Sequence, residues 1–321
     1  MPASSLAERN ARTLLWFRAL CNFQPLFPIW VYYLMAYRGF SLTQVAALEA
    51  PYLLALVIFE VPTGAFADRF GRRRSIVAGS AIYAASILLF GLAGSFPLLL
   101  ADYLAWALAQ ALINGADHAL LYESLADAGR EREFARWTGR LGAAGILAVV
   151  GGNLLGAPLA AFVDLRFPIL VSAGLTLGSV LFALRLREPP GHQRHGGSFT
   201  SALAGGLRLA ARRAALRYTV LLLAAVGATT AASVLFRQPF LNRYGVPLAW
   251  WGVLQAPGPL LFALGAARMG GLVHRFGERL VVLALPLMAV AALAALATVD
   301  SIWVYPALYP CSPGSRACYR P

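Results

Sequence analysis

Five ionisable residues stand inside or at the ends of long apolar runs: Arg18, Glu49, Glu60, Asp117 and Glu123. An ionisable group inside a bilayer costs at least about 2.5–3.5 kcal/mol, so wherever a run spans a membrane such a group is a functional candidate. At about 1.5 Å rise per residue, Arg18, Glu60 and Asp117 fall at similar depth, on the order of 10 Å to one side of the midplane. That placement predicts an ion pair between Arg18 and either Asp117 or Glu60. The alternative is an Arg18 that reaches the interface on its own stem. Glu49 falls on the opposite side, with only Arg38 as a cation nearby, and is a candidate proton carrier or a hydrogen-bond acceptor. Asn114 and Asp117, three apart, share one face of a continuous helix, with Gln110 one turn away. Bond-breaking chemistry has no matching pattern. The four histidines are scattered, and the serines stand beside no base. Cys21, Cys311 and Cys318 have no metal spacing, and no Gly-Lys-Ser/Thr phosphate loop is present. The chain reads as a non-enzyme without cofactor or metal.

The elements that must position these residues are membrane spans. Of 321 residues, 59% are hydrophobic and 13% charged, against roughly 45–50% and about 25% in a soluble domain. Such a composition excludes a soluble enzyme and a disordered chain. Nine apolar runs are long enough to cross a bilayer. They are Thr13–Ala36, Gln44–Phe66, Ser75–Ala93, Leu98–Tyr122, Thr138–Val163, Pro168–Leu186, Tyr218–Phe236, Ala249–Val273 and Leu280–Val299. The first carries Arg18 and two prolines and reads as a retained span, not a cleaved signal. All 27 basic residues are Arg, in clusters between runs. That distribution argues against a nucleic-acid partner and predicts a cytoplasmic N-terminus in a multi-pass protein of the cell (inner) membrane. Glu188–Arg217 is a long polar linker. Arg208, Arg212, Arg213 and Arg217 within it suggest a helix lying on the anionic surface, or a solvated extension of the seventh span.

An internal repeat orders the spans. The turn after the second reads Gly64-Ala-Phe-Ala-Asp68-Arg69-Phe-Gly71-Arg72-Arg73-Arg74. The turn after the eighth reads Gly270-Gly-Leu-Val-His274-Arg275-Phe-Gly277-Glu278-Arg279. Duplicated halves are a common plan for secondary transporters, with the substrate site between them near mid-membrane. Gly64 permits close helix approach and Gly71 a tight turn. Asp68 is an acceptor that can cap a helix or pair with Arg. The arginines hold the turn at the anionic leaflet.

The stretch from Glu60-Val-Pro-Thr-Gly64 to Arg74 closely resembles the motif of major facilitator superfamily transporters between spans two and three. Leu48-Glu49, and Asn114-Gly115-Ala-Asp117 through Tyr122-Glu123-Ser124-Leu125, are similar to a bacterial subgroup whose substrates are largely unassigned. The resemblance implies an all-α two-bundle fold. Residues 1–187 would form a six-helix bundle, 188–217 a cytoplasmic linker and 218–300 a partial second bundle. It implies a secondary transporter of small solutes working by alternating access. The aromatic first span favours export; import, and a non-transporting remnant, are the alternatives. It implies a conformational latch built from Gly64, Asp68, Arg69, Gly71, Arg72 and Arg73. The second copy is a weaker latch, because His274 and Glu278 replace Asp68 and Arg72. It further implies that Asn22, Gln24, Gln110, Asn114, Asp117, Thr229, Thr230 and Ser233 lie at or near the cavity, with Phe23, Phe27, Trp30, Tyr32 and Tyr33 as candidate walls. Protons are the candidate coupling ion. Span four lacks the intramembrane Arg of many proton-driven exporters and carries Asp102 near its start, which counts against antiport. Residues 301–321 turn into a Pro-, Cys- and Arg-rich tail too short in apolar length to cross. They predict a truncated product with an aberrant end.

Overall fold

A computed structural model describes residues 3–189 and 234–276. Among these, regular structure is helical. The first expected span is not one rod. Helix α1 (Ala3–Asn22) stops, the chain turns through residues 23–29, and α2 (Trp30–Tyr32) resumes and widens into a π-helical turn at Tyr33–Tyr37. Pro25 and Pro28 lie in the interruption. Each lacks an N–H and its ring crowds a preceding carbonyl, which weakens the helix there, and two of them three residues apart accompany the break.

Helix α3 (Leu42–Phe70) opens on a reciprocal capping box between Ser41 and Gln44. It ends at Gly71, whose φ of 105° turns the chain directly into α4 (Arg72–Leu92). The expected fourth span is likewise broken. Helix α5 (Phe96–Ile113) ends at an extended Asn114, and Gly115, at φ 79° and ψ −39°, admits α6 (Ala116–Ala126). Gln110, Asn114 and Asp117 therefore share no continuous helical face. A short 3₁₀ turn leads into α7 (Phe134–Phe162), followed by α8 (Phe167–Arg185).

In the second part, residues 234–243 are helical. The seventh span thus runs past its expected end at Phe236 and takes Arg237 and Gln238 into the helix. After Gly245 come a 3₁₀ turn (Leu248–Trp250), a short helix (Trp251–Gln255) and a long helix (Pro257–Phe276). The expected eighth span is therefore interrupted at Ala256, where Pro257 begins the new helix. Six helical runs among the described residues are long and apolar enough to cross a membrane. Exposed apolar side chains on them, such as Leu54, Val57, Leu92, Leu147, Phe162, Leu170 and Leu181, form the surface that lipid would cover. The linker beyond Pro189, Thr229, Thr230, Ser233, the ninth span and the 301–321 tail lie outside the described residues.

Helix α1 packs on α6, α7 and α8, while α4 packs on α5 and α8. Small residues set these distances. A Cβ at Gly79 would sit 2.8 Å from the Ile113 side chain, and one at Gly156 would overlap the Pro25 carbonyl. Two apolar cores result. One, with Leu14, Phe17, Ile76, Leu120 and Trp137, lies toward the Arg-rich end. The other, with Leu26, Tyr33, Phe90, Tyr103 and Trp251, lies toward the far end and includes the second part of the chain.

Candidate functional site

The Arg-rich corner is built from four elements. Gly71 ends α3 and leaves the first N–H groups of α4 without helical partners. The Glu188 carboxylate, arriving after α8, accepts from the Arg72 N–H at 2.5 Å and the Arg73 N–H at 2.9 Å. An anion at a helix N-terminus satisfies orphan donors and opposes the helix dipole. A side chain at position 71 would collide with that carboxylate, since its Cβ would lie 2.6 Å from Glu188 Oε1. Arg72 also pairs with Asp68 at 2.6 Å and with Glu123 at 3.3 Å. Arg73 donates to the Leu184 carbonyl at 3.0 Å, and Arg69 lies over the Phe70 ring. Among the described residues Asp68 thus pairs with Arg72 and caps no helix; Glu188, singled out by no motif, caps α4. Among the described residues, no atom lies within 4 Å of a Cβ position at Gly64.

A second site lies at the two helix breaks. Arg18 Nε donates to Asp117 Oδ2 at 2.5 Å, and Arg18 Nη2 contacts the same oxygen. Asp117 is fully buried and sits in the first turn of α6, where its other oxygen accepts from the His118 N–H at 2.8 Å. The kink at Gly115 is what presents that helix start to Arg18. Of the two partners proposed for Arg18, Asp117 is the one engaged. Glu60 is exposed on α3, and no ion pair to it is present among the described residues.

The remaining candidates are dispersed. Asn22 is half-buried and donates back to the Arg18 carbonyl at 2.8 Å. Gln24 is buried, not open to a cavity. Its amide donates to Thr176 Oγ1 and the Cys21 carbonyl, both at 2.9 Å, fastening the turn after α1 to α8. Asn114 is exposed at the break and Gln110 half-buried. Arg38 does not approach Glu49 as a partner. It donates to the Gly91 carbonyl and, at 3.0 Å, to the Tyr33 hydroxyl. Glu49 lies near an aromatic cluster in which Tyr52, Tyr83 and Tyr103 surround Trp106, and Phe27 stacks on that indole at 6.0 Å between centroids. Asp102, fully buried, accepts from Ser86 Oγ at 2.6 Å and leaves Oδ2 unbonded. An acidic residue inside an apolar run was the available signal for it.

The two parts of the chain meet at the end opposite the arginines. Gln238 donates to the Phe27 carbonyl at 2.9 Å and accepts from the Tyr32 N–H at 3.0 Å. Gln255 donates to the Pro28 carbonyl at 3.0 Å. Tyr32 meets Trp251 edge to face, 5.1 Å between centroids. A Cβ at Gly252 would overlap the Asn153 carbonyl and lie 3.3 Å from the Ala157 methyl. The carbonyls at Phe27 and Pro28 accept because the first span is unwound there.

These features define a class: a multi-pass helical membrane protein with broken spans and a charged corner between its second and third spans. The chain belongs to the Major Facilitator Superfamily, whose family model matches residues 14–314. That match runs into the segment set aside as an aberrant tail. An uncharacterised MFS-type transporter, YxaM of Bacillus subtilis (strain 168), is 33% identical over 89 residues, which span 28% of this chain and 22% of that protein. A variant of the nucleoside transporter NupG superposes with a TM-score of 0.81 at 16% identity, covering 95% of this chain and 77% of its own. A bacterial homologue of the human lysosomal transporter Spinster, inward-facing and occupied, gives a TM-score of 0.70 at 19% identity, covering 95% and 71%. A D-xylose–proton symporter gives 0.59 at 12%, covering 94% and 78%. At these identities the likeness to solved structures is one of fold.

Proposed function

We propose that the chain is a secondary active transporter of small solutes, working by alternating access in the cell (inner) membrane with its N-terminus in the cytoplasm. The observation that carries this reading is the asymmetry of the two ends. Among the described residues, Gln238, Gln255 and Gly252 join the two parts of the chain at the far end, while at the arginine end Arg72 ties Asp68, Glu123 and Glu188 together. A pair of bundles joined at one end is one state of a rocking pair. With arginines on the cytoplasmic side, the joined end is the outer one, as an inward-facing state requires.

The corner network is the latch in this reading. The Arg18–Asp117 pair lies beside the two broken spans that would bend between states. Glu49, in the outer half among aromatic rings, is the candidate proton carrier. Export is the favoured direction because the outer part of the first span is aromatic, suited to amphipathic solutes.

The test is flux of the full chain in proteoliposomes across a solute panel, run in both directions, with and without a proton gradient. The panel would include a nucleoside and xylose alongside amphipathic compounds. Gradient-dependent flux of one solute, abolished by Arg18→Ala, is expected. Intact, folded protein that moves no solute in either direction would favour a non-transporting role.

A further inference from the structure

The arginine end holds a feature that transport does not use. A cavity of about 630 Å³ opens between α1, the turn from α3 to α4 and the end of α8. Its charged lining is Arg9, Arg73, Arg74, Arg185, Arg187 and Glu188, a formal excess of four positive charges. The single carboxylate does not balance five arginines, and both of its oxygens are already engaged by the Arg72 and Arg73 N–H groups.

Two of the guanidinium groups are held in place by backbone. Arg73 Nη2 donates to the Leu184 carbonyl and Arg9 Nη2 to the Arg185 carbonyl, each at 3.0 Å. These carbonyls belong to the last turn of α8, where the helix dipole favours cations. Arg73 Nε is buried without an acceptor. Arg74 and Arg187 are exposed, and among the described residues their guanidinium groups form no hydrogen bond or ion pair. Like charges gathered this closely repel one another. A tetrahedral oxyanion would reverse that repulsion and accept from several forks at once.

We infer that this cavity binds a phosphate group, either the headgroup phosphodiester of an anionic phospholipid in the inner leaflet or a soluble phosphate. The bound anion joins the latch corner to α1 and to the chain leaving α8. Binding there is independent of whether the chain transports anything.

The experiment is calorimetric titration of the full chain in nonionic detergent at low salt. The probes are inorganic phosphate, short-chain phosphatidylglycerol and, as a zwitterionic comparison, the matching phosphatidylcholine. Binding of phosphate or of phosphatidylglycerol is expected, with phosphatidylcholine at least roughly five-fold weaker. The double substitution Arg74→Gln with Arg187→Gln should weaken binding roughly ten-fold or more, given charge-assisted hydrogen bonds of ordinary strength. Arg132→Gln with Arg136→Gln, which removes equal charge elsewhere on the same end, should change it less than about two-fold. If the first double variant does not assemble, each of its single substitutions should still weaken binding about three-fold.

The two sources separate within the same titrations. Phosphatidylglycerol binding without phosphate binding assigns the site to lipid. Phosphate binding without lipid binding assigns it to a soluble anion. No binding by either probe, or equal losses in the two double variants, overturns the inference.

Discussion

At the scale of single residues, the pair of Arg18 and Asp117 is the most consequential interaction in the first half. Asp117 is fully buried and Arg18 is its cation, with the Arg18 side chain 24% exposed. Breaking a buried pair from one side leaves an uncompensated charge and costs about 3–5 kcal/mol. Arg18→Ala should therefore lower the thermal stability of the purified protein sharply, whereas Arg18→Ala with Asp117→Asn should recover much of the loss. Equal destabilisation in both variants would mean that Arg18 acts through its stem and not its charge. A smaller effect is expected at the corner. Glu188→Gln replaces a helix-capping anion by a neutral amide and should cost about 1 kcal/mol, read as a lowered unfolding midpoint. The Arg18 pairing was legible in the sequence, because a charge in a span has few candidate partners and depth alone leaves two. Glu188 was not. A glutamate beside Pro189 in a polar linker carries no local sign that its carboxylate will return to the start of α4.

At the scale of elements, helix breaks and small residues decide the architecture. Gly156 lies where α7 crosses the turn after α1, and a methyl group there would overlap the Pro25 carbonyl. Gly142, on the same helix, has no atom of the described residues within 4 Å of its Cβ position. Gly156→Ala should then destabilise by about 1–3 kcal/mol through overpacking, and Gly142→Ala should be neutral or stabilise by up to about 1 kcal/mol through helix propensity. Thermal melts of the two variants side by side check the contrast. Uninterrupted spans were read to within a few residues. The expected Ser75–Ala93 is observed as Arg72–Leu92, and Pro168–Leu186 as Phe167–Arg185. Apolar length is enough for such spans. It is blind to breaks, because an unwound turn such as residues 23–29 is as apolar as the helix around it. The residues that signal a break, Pro25, Pro28 and Asn114-Gly115, were visible. Whether a span kinks or stops there depends on what receives the freed backbone groups. In this chain Gln238 and Gln255 receive those of the first span, from far along the sequence.

At the scale of the whole molecule, the central claim is that two halves rock so that closure at one end accompanies opening at the other. The contact of Gly252 with Asn153 closes the far end. Gly252→Ala should push the halves apart there, by about 1–3 kcal/mol of overpacking, and shift the population toward the outward-open state. Duplication and the corner motif made the two-half plan readable from sequence. The conformation was not readable, since the same residues serve both states. The most direct measurement is pulsed electron spin-resonance distance spectroscopy on the full chain in nanodiscs, with the three native cysteines replaced. One label pair at Asp164 and Asn242 reports the far end, and another at Gly139 and His274 reports the arginine end. Rocking halves predict two distance populations at each end that change in opposite senses, with Gly252→Ala raising the wide population at the far end and the narrow one at the arginine end. A single fixed distance at both ends, or two ends that widen together, would contradict it.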